Sequence, residues 1–276
     1  MAAELTSGLA RKLFGGAAGI EQKLALRTSP PESFWEFCGL GQLPGWPALE
    51  QLLNQVIEQK IPTLVYGDYD VDGVTSAFMM HRFLKRHRVP GNCFLPSRFR
   101  HGYGLNPDII SQAVRQGYGA LLALDCGTAD AAAVDIALHA GIEVGIIDHH
   151  QPGQKLPRAP MLNPSLADDV PQPCTAGLVY AVLEQVAAKH GGLAGDELEL
   201  AGMATIADVV PLTPANWYLA GEALRLLPST TNCGLQALIR VSGLHGLTRL
   251  TAQQVAFAMV PRLNACLLYT SDAADE

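Results

Sequence analysis

The sequence lacks three features, each of which would place it in a particular class of protein. It has no basic excess, because 19 Lys and Arg stand against 26 Asp and Glu for a net charge of −7, which argues against a histone-like or basic-arm protein. It has no apolar run of the roughly 18 to 20 residues that cross a bilayer. Glu4, Arg11 and Lys12 interrupt the apolar stretch that a signal peptide needs. We therefore expect a soluble, cytoplasmic protein without membrane contact.

Closely spaced cysteines are also missing. The six cysteines are scattered, and no two have the Cys-x-x-Cys spacing of a zinc or redox site. They are Cys38, Cys93, Cys126, Cys174, Cys233 and Cys266. The sequence therefore predicts buried free thiols, with neither a disulfide framework nor a cysteine zinc site.

Short apolar strands alternate with helical segments from Pro62 onward. The segments 63–66, 120–124 and 144–147 are apolar on both faces, which is typical of buried parallel strands. Helical patterns are predicted at 49–60, 75–88, 130–140, 176–190, 197–207, 219–227 and 235–241. We predict an α/β fold, with a parallel sheet that carries helices on both faces and is followed by a mostly helical segment.

Ionisable side chains follow three successive predicted strands. They are Asp68, Asp70 and Asp72 after the first, Asp125 after the second, and Asp148, His149 and His150 after the third. One acidic strand end would mean little, because Asp is common in turns and at helix N-termini. Three in succession are different, because ligands of such sheets bind at the carboxyl ends of the strands.

Carboxylates that converge repel one another unless a cation compensates them. A mixture of Asp and His suits Mn²⁺, Fe²⁺, Zn²⁺ or Mg²⁺ with positions left open for water. Two such ions about 3.5–4 Å apart, sharing one carboxylate, are suited to in-line attack on a phosphoryl group. The sequence thus predicts a metal site for phosphoryl chemistry.

A basic segment lies next to the first acidic cluster. No acidic residue occurs between Asp72 and Asp108, whereas six Arg and Lys and three His do. For 82–88, a solvated helix face and a positive track beside the metals are both open interpretations. Arg98, Arg100 and His101 instead follow another predicted strand, where cations could meet a phosphate backbone.

Four segments together resemble the successive motifs of the DHH phosphoesterase superfamily. They are Asp68-Tyr-Asp-Val-Asp-Gly-Val-Thr-Ser, Leu124-Asp125-Cys-Gly, Asp148-His149-His150 and Ala207-Asp208-Val-Val-Pro211-Leu212. Further matches resemble the RecJ-type exonucleases, which are specific for single-stranded DNA. These are Pro96-Ser-Arg98-Phe-Arg-His-Gly102-Tyr103-Gly104-Leu105, Leu162-Asn163-Pro164, Ala176-Gly177-Leu-Val-Tyr180, Asn216 and Pro261-Arg262-Leu263-Asn264-Ala265. The resemblance covers residues 40 to 265.

The resemblance implies a site with two Mn²⁺ or Mg²⁺ ions. The implied ligands are Asp68, Asp70, Asp72, Asp125, His149 and Asp208, although which of the first three touch metal stays open. Asp125 would bridge the ions, and Asp148 would either orient His149 or help at the cluster. His150 would face the scissile phosphate, so that Asp72, Asp125 and His150 form the implied catalytic set.

The resemblance also implies the substrate and its contacts. The implied substrate-binding residues are Arg98, Arg100, His101, Gly102, Tyr103 and Asn264, with Tyr103 stacking on a base. We expect a monomer that binds single-stranded DNA, with a single-stranded-DNA-binding protein or a helicase as further partners.

The implied activity is 5′→3′ degradation of single-stranded DNA to 5′-mononucleotides in DNA repair and recombination. Two alternatives remain: a DHH phosphoesterase acting on short oligonucleotides or cyclic dinucleotides, and a non-catalytic nucleic-acid-binding scaffold or inactive fragment. Residues 1–48 are expected to form a partly helical lead-in and 49–265 the catalytic domain. Residues 266–276 match nothing in the family pattern and are interpreted as a foreign-looking or truncated tail.

Overall fold

The computed structural model describes residues 31–97, 102–167 and 170–265, and these build a five-stranded parallel sheet. The strands are β1 (Thr63–Tyr66), β2 (Gly91–Phe94), β3 (Ala120–Leu124), β4 (Glu143–Ile147) and β5 (Met161–Leu162). Their order is β2-β1-β3-β4-β5, and every neighbouring pair is parallel. The predicted α/β fold with a parallel sheet is confirmed.

Ten helices in the described ranges surround or follow the sheet. They are α1 (Phe34–Cys38), α2 (Trp46–Gln59), α3 (Val71–Arg86), α4 (Pro107–Arg115), α5 (Ala131–His139), α6 (Thr175–His190), α7 (Glu197–Ala207), α8 (Pro214–Leu226), α9 (Cys233–Val241) and α10 (Ala252–Gln254). Short 3₁₀ turns occur at Leu40–Gln42, Pro164–Leu166 and Leu227–Ser229, and α10 continues through a π-helical turn, Val255–Met259.

The two faces of the sheet are covered by different helices, as predicted. Val65, Leu122 and Ile147 point into the larger core, which they share with α1, α2, α3 and α6 to α9. Leu64, Leu121 and the other alternate strand residues point into a smaller core with α4 and α5. This alternation follows from the period of two in a strand.

Residues 34–46 pack against the larger core. Phe34 is buried, with its ring centroid 5.6 Å from that of Tyr180 and 6.1 Å from that of Tyr218. Trp35 and Trp46 lie 4.2 Å apart, centroid to centroid. The C-terminal half of the predicted lead-in is therefore continuous with the fold that carries the site.

The start of α3 differs from the prediction. The helix begins at Val71 rather than Thr75, because Asp70 caps it by accepting a hydrogen bond from the Gly73 amide at 3.0 Å. Asp72 therefore lies in the first helical turn. Gly73 is needed there, since a Cβ would lie 2.4 Å from the backbone nitrogen of Asp68. The tight turn brings the helix start directly against the end of β1.

The cysteine prediction is correct in part. Cys38, Cys126 and Cys174 are buried free thiols, whereas Cys93 and Cys233 are exposed. Cys93 lies on the edge strand β2 and Cys233 in the first turn of α9. Among the described residues, no helix combines the length and the apolar character that crossing a bilayer would require.

Candidate metal centre

The sheet order creates a crevice between β1 and β3. The helix after β1, α3, packs on the larger core, and the helix after β3, α5, packs on the smaller one. Adjacent parallel strands whose following helices leave to opposite faces form a topological switch point, which is where ligands bind in such sheets. Asp68 lies two residues beyond β1 and Asp125 directly beyond β3, so the first two acidic strand ends flank this crevice.

All six residues predicted to bind metal come together here. Three groups each offer ligand atoms that lie within 4.8 Å of one another. They are Asp125, His149 and His150; Asp72, His149 and Asp208; and Asp68, Asp70 and Asp125. Asp125 and His149 each belong to two groups, so the arrangement is one continuous cluster with Asp125 in a position to be shared.

His149 is surrounded by three carboxylates. Its Nε2 lies 3.4 Å from Asp125 Oδ1, 3.7 Å from Asp72 Oδ2 and 3.7 Å from Asp208 Oδ2. Ligand atoms around one ion, each bound at about 2.0–2.2 Å, have such separations. Burial alone would lower the pKa of His149, but the hydrogen bond and charge of Asp125 outweigh it and raise that pKa.

The cluster holds more negative charge than the described protein compensates. Asp68, Asp72 and Asp125 are at most 3% exposed. Burial, reinforced by neighbouring carboxylates, raises the pKa of Asp68 to about 7 and that of Asp70 to about 6, and it raises the pKa of Asp72 and of Asp208 as well. Carboxyls that resist ionisation for this reason are stabilised by a nearby cation.

A buried carboxylate oxygen without a partner shows whether the residues of the cluster fit a metal ion. Asp68 Oδ1 is buried and has no hydrogen-bond partner. An unsatisfied buried acceptor costs on the order of 1–3 kcal/mol, and more when it is charged. A divalent cation would satisfy this oxygen, and oxygen and imidazole ligands suit Mn²⁺ and Mg²⁺. The cluster therefore fits a divalent metal centre.

Asp72 is held by the start of α6. Its Oδ2 accepts a hydrogen bond from the Thr175 amide and its Oδ1 one from the Ala176 amide, both at 2.7 Å. The N-terminus of a helix favours negative charge, so these amides stabilise the Asp72 carboxylate although it is buried.

The Asp148-His149-His150 loop differs from expectation in one contact. Asp148 Oδ1 accepts from the His149 amide at 2.8 Å and from His150 Nδ1 at 2.8 Å; a carboxylate can only accept, so Nδ1 carries the proton. Although burial opposes it, this pairing lowers the pKa of Asp148 to about 2, and it raises the pKa of His150 to about 9. Asp148 thus orients the ring of His150, and its contact with His149 is through the backbone amide.

The loop with Gly102 and Tyr103 lies beside the cluster. The Tyr103 ring meets the His150 ring edge-on at 5.5 Å between centroids, and Tyr103 is 54% exposed. Gly102 and Gly104 have φ values of +73° and +85°, which glycine adopts without strain. Tyr103 and His150 line the mouth of a cleft of about 340 Å³.

Asp130 and Tyr66 hold this loop in place. The Tyr66 hydroxyl donates to the Gly104 carbonyl at 3.0 Å. Asp130 Oδ2 accepts from the amides of Leu105 and Gly127, each at 3.1 Å. Asp130 thereby joins the Tyr103 loop to the turn that follows Asp125.

Comparison with known proteins agrees with this geometry. Residues 62–208, more than half of the chain, match the DHH family, N-terminal domain. The chain belongs to the DHH family.

The chain is similar to curated exonucleases that carry the name RecJ. The chain is 34% identical to the single-stranded-DNA-specific exonuclease RecJ of Dickeya dadantii, over 78% of this chain and 40% of the relative. It is 31% identical to RecJ of Bacillus subtilis, over 81% of this chain and 28% of the relative. A crystal structure of exonuclease RecJ bound to manganese superimposes with a TM-score of 0.75 at 31% identity, covering 85% of this chain and 63% of that one. The DHH chain thus spans less than half the length of these two curated relatives.

The structure describes only some of the predicted substrate residues. Arg98, Arg100 and His101 lie outside the described residues. Asn264 lies in the helical segment 260–265, and its Oδ1 is buried without a hydrogen-bond partner.

Arg82 fits neither of the two open interpretations of 82–88, a solvated helix face or a positive track beside the metals. Arg82 contacts Asp196 and Glu197. It lies ten residues beyond Asp72 on α3, which corresponds to about 15 Å along the axis. Its charge is used inside the fold and away from the metal centre of this DHH domain.

Several supporting residues of the DHH site were not identified from the sequence. Asn163 Nδ2 donates to the His150 carbonyl and to Thr128 Oγ1, both at 2.9 Å, and the Thr128 amide donates to Asp148 Oδ2 at 3.1 Å. Thr175 donates to Asp125. Among these, Asn163 alone stood in a segment, Leu162-Asn163-Pro164, that carried the family resemblance, and no pattern marked the two threonines.

Proposed function

We propose that this chain is the catalytic part of a metal-dependent exonuclease that degrades single-stranded DNA from the 5′ end to 5′-mononucleotides. The observation that carries the proposal is the shared position of Asp125, between two sets of ligand atoms at the switch point of the sheet. The names of the relatives support the substrate, and the solved RecJ structures with bound manganese and magnesium support the metals.

The six residues predicted as ligands, five acids and one histidine, would hold two divalent ions. They are Asp68, Asp70, Asp72, Asp125, His149 and Asp208. When bound, such ions neutralise a phosphoryl group and make a water nucleophilic at neutral pH. Asp125 would contact both ions, and the α6 amides would hold Asp72 in place.

His150 would bind the phosphate rather than a metal. Its Nδ1 is already engaged by Asp148 at 2.8 Å, which makes the ring a cation at neutral pH. Its side chain is 41% exposed at the cleft, so a phosphodiester there would meet a positive charge that can also donate a proton.

Tyr103 would bind the base next to that phosphate. Its ring contacts His150 and is more than half exposed. Stacking on an aromatic ring is tolerant of base sequence, which suits an exonuclease. We further propose a role in DNA repair and recombination, with a single-stranded-DNA-binding protein or a helicase as partner.

The direct test uses the full chain with Mn²⁺ and 20-mer single strands labelled at the 5′ or the 3′ end. We expect the 5′ label to appear at once as a mononucleotide, while the 3′-labelled strand shortens gradually. Duplex DNA and reactions with a chelator should stay intact. An Asp125→Asn variant is the matched control, because it keeps the shape of the side chain and removes its charge.

Other outcomes would replace the proposal. Faster turnover of dinucleotides or cyclic dinucleotides than of the 20-mer would identify a phosphoesterase for small substrates. Binding of the 20-mer with no more cleavage than Asp125→Asn would identify a scaffold or an inactive fragment. Simultaneous loss of both labels as mononucleotides would rule out the 5′→3′ direction.

A further inference from the structure

We infer that Thr175 is a positioning residue that holds Asp125, and with it the pair of metal sites, in the geometry that binds ions. The inference rests on the proposed function, because it concerns the metals of that same site. Thr175 Oγ1 donates to Asp125 Oδ1 at 2.8 Å.

Thr175 contacts two of the implied ligands at once. Its hydroxyl reaches Asp125, and its amide donates to Asp72 Oδ2 at 2.7 Å. Asp72 and Asp125 belong to different ligand groups of the cluster. Thr175, at the start of α6, therefore sets the distance between the Asp125 carboxylate, directly after β3, and the Asp72 carboxylate in α3.

The position of Thr175 in its helix explains why its hydroxyl is available to Asp125. Thr75 and Thr205, two other buried helical threonines, donate to the carbonyl one turn earlier in their own helices. Thr175 is the first residue of α6, so no helical turn precedes it. Its hydroxyl instead crosses to a residue 50 positions away.

The hydroxyl contact acts on the carboxylate of Asp125, because the backbone of this residue is held separately by the neighbouring strand. Asp125 has φ +64°, a left-handed conformation in which its amide donates to the Ile147 carbonyl at 3.0 Å. Several neighbouring carboxylates repel it. A hydrogen bond from a buried hydroxyl fixes the rotation of the Asp125 carboxylate and leaves lone pairs for metal. Loss of such supporting hydrogen bonds typically weakens metal binding about 10- to 100-fold.

The experiment measures Mn²⁺ affinity by titration calorimetry on the full, metal-free chain. Thr175→Val is nearly isosteric and removes the hydroxyl, whereas Thr175→Ser keeps the hydroxyl and removes the methyl group. Thr63→Val is the matched control, because the buried Thr63 hydroxyl donates to the Ile61 carbonyl at the opposite end of the sheet. If the valine variant does not fold, Thr175→Ala takes its place.

We expect Thr175→Val to bind Mn²⁺ at least about tenfold more weakly, and Thr175→Ser and Thr63→Val to bind as the wild type does. The metal-dependent rise in Tm should shrink in the valine variant alone. Equal affinity of wild type and Thr175→Val would overturn the inference while leaving the proposed function intact. Equal weakening in the valine and serine variants would assign the effect to packing and also overturn it. A wild type that binds no Mn²⁺ would overturn both.

Discussion

Two groups of acidic side chains in this molecule differ in what neutralises them. Asp196 and Glu197, at the start of α7, are paired with Arg82 of α3, and Asn232 also donates to Asp196. Within the described ranges, the acids at the carboxyl edge of the sheet have two histidines as their basic partners. These acids are Asp68, Asp70, Asp72, Asp125, Asp148 and Asp208, and one of the histidines, His150, is already paired with Asp148.

The pKa values of Asp196 and Asp68, one acid from each group, shift in opposite directions for this reason. Burial alone would raise the pKa of Asp196, but its hydrogen bond with Arg82 lowers it. Burial raises the pKa of Asp68, and no cation among the described residues offsets it fully. A buried acid with its own cation contributes to the fold, whereas acids without one require a cation from outside the chain. The first group is structural and the second is arranged for metal.

The largest effect is expected from Asp125→Asn. Because supporting contacts alone alter metal affinity 10- to 100-fold, loss of the shared ligand should weaken Mn²⁺ binding at least about a hundredfold. The free energy of unfolding of the metal-free protein should stay the same or rise, since one repelling charge is gone. Calorimetric titration and urea unfolding check both. Asp135→Asn, a surface acid paired with Lys155 and Arg158, is the control that should leave Mn²⁺ binding unchanged.

Asp68 and Asp70 should also respond to pH in the opposite direction from Asp196 in metal-free protein. The pKa of Asp68 is about 7 and that of Asp70 about 6, against about 3.9 for Asp in an unfolded chain. Between roughly pH 4 and 7 the folded state therefore binds more protons, so these acids make the free energy of unfolding fall as pH rises. Asp196, with its lowered pKa, stabilises above about pH 4 and loses this effect as pH falls further.

Urea unfolding at several pH values, in chelator and in saturating Mn²⁺, measures these slopes. Mn²⁺ competes with protons for the cluster, so the fall between pH 4 and 7 should disappear when metal is present. Asp68→Asn should reduce the fall in chelator. Stability that rises across this range in both wild type and Asp68→Asn would contradict the assignment of uncompensated charge to the cluster.

A smaller effect, on stability alone, is expected from Asp196→Ala. Removal of a charged hydrogen-bond partner of Arg82 should lower the free energy of unfolding by about 2 kcal/mol. Mn²⁺ affinity should not change, because the ion pair lies away from the cluster. A weaker Mn²⁺ affinity in Asp196→Ala would show that the two groups of acids are coupled.

The smallest effect is expected from Lys85→Ala. Lys85 is exposed near the end of α3, more than 15 Å along the axis from Asp72 by the rise of about 1.5 Å per residue. Surface changes of this kind usually cost within about 0.5 kcal/mol, so KM for single-stranded DNA should change by about twofold or less. A large increase in KM would mean that this part of α3 does form a positive track.

Periodic segments were predicted from the sequence with good accuracy. The bounds of β1, β3 and α7 agree with their apolar patterns residue for residue. The start of α3 was placed four residues too late, because its first turn contains the polar Asp72 and Gly73. The strand β5 has two residues, too few for any periodic signal, and α4 was not predicted.

The metal-binding residues were predictable for a related reason. Acids and histidines directly after buried strands stand out, because each ends an apolar run. Thr175 and Asp130 do not stand out, since threonine at a helix start and Asp in a turn are ordinary choices. Their contacts join residues 50 and 25 positions apart, and such pairs become visible only when the elements pack.

The sequence by itself determined the α/β alternation, the acidic strand ends and the DHH motifs, because these depend on the order of residues along single segments. The tertiary structure alone decided that Asp125 is shared between ligand groups and that Arg82 is paired within the fold. The physical reason is that each of these depends on the order of strands in the sheet and on which helix end meets which strand end. Distances of 3 Å between side chains far apart in the chain are set by that packing.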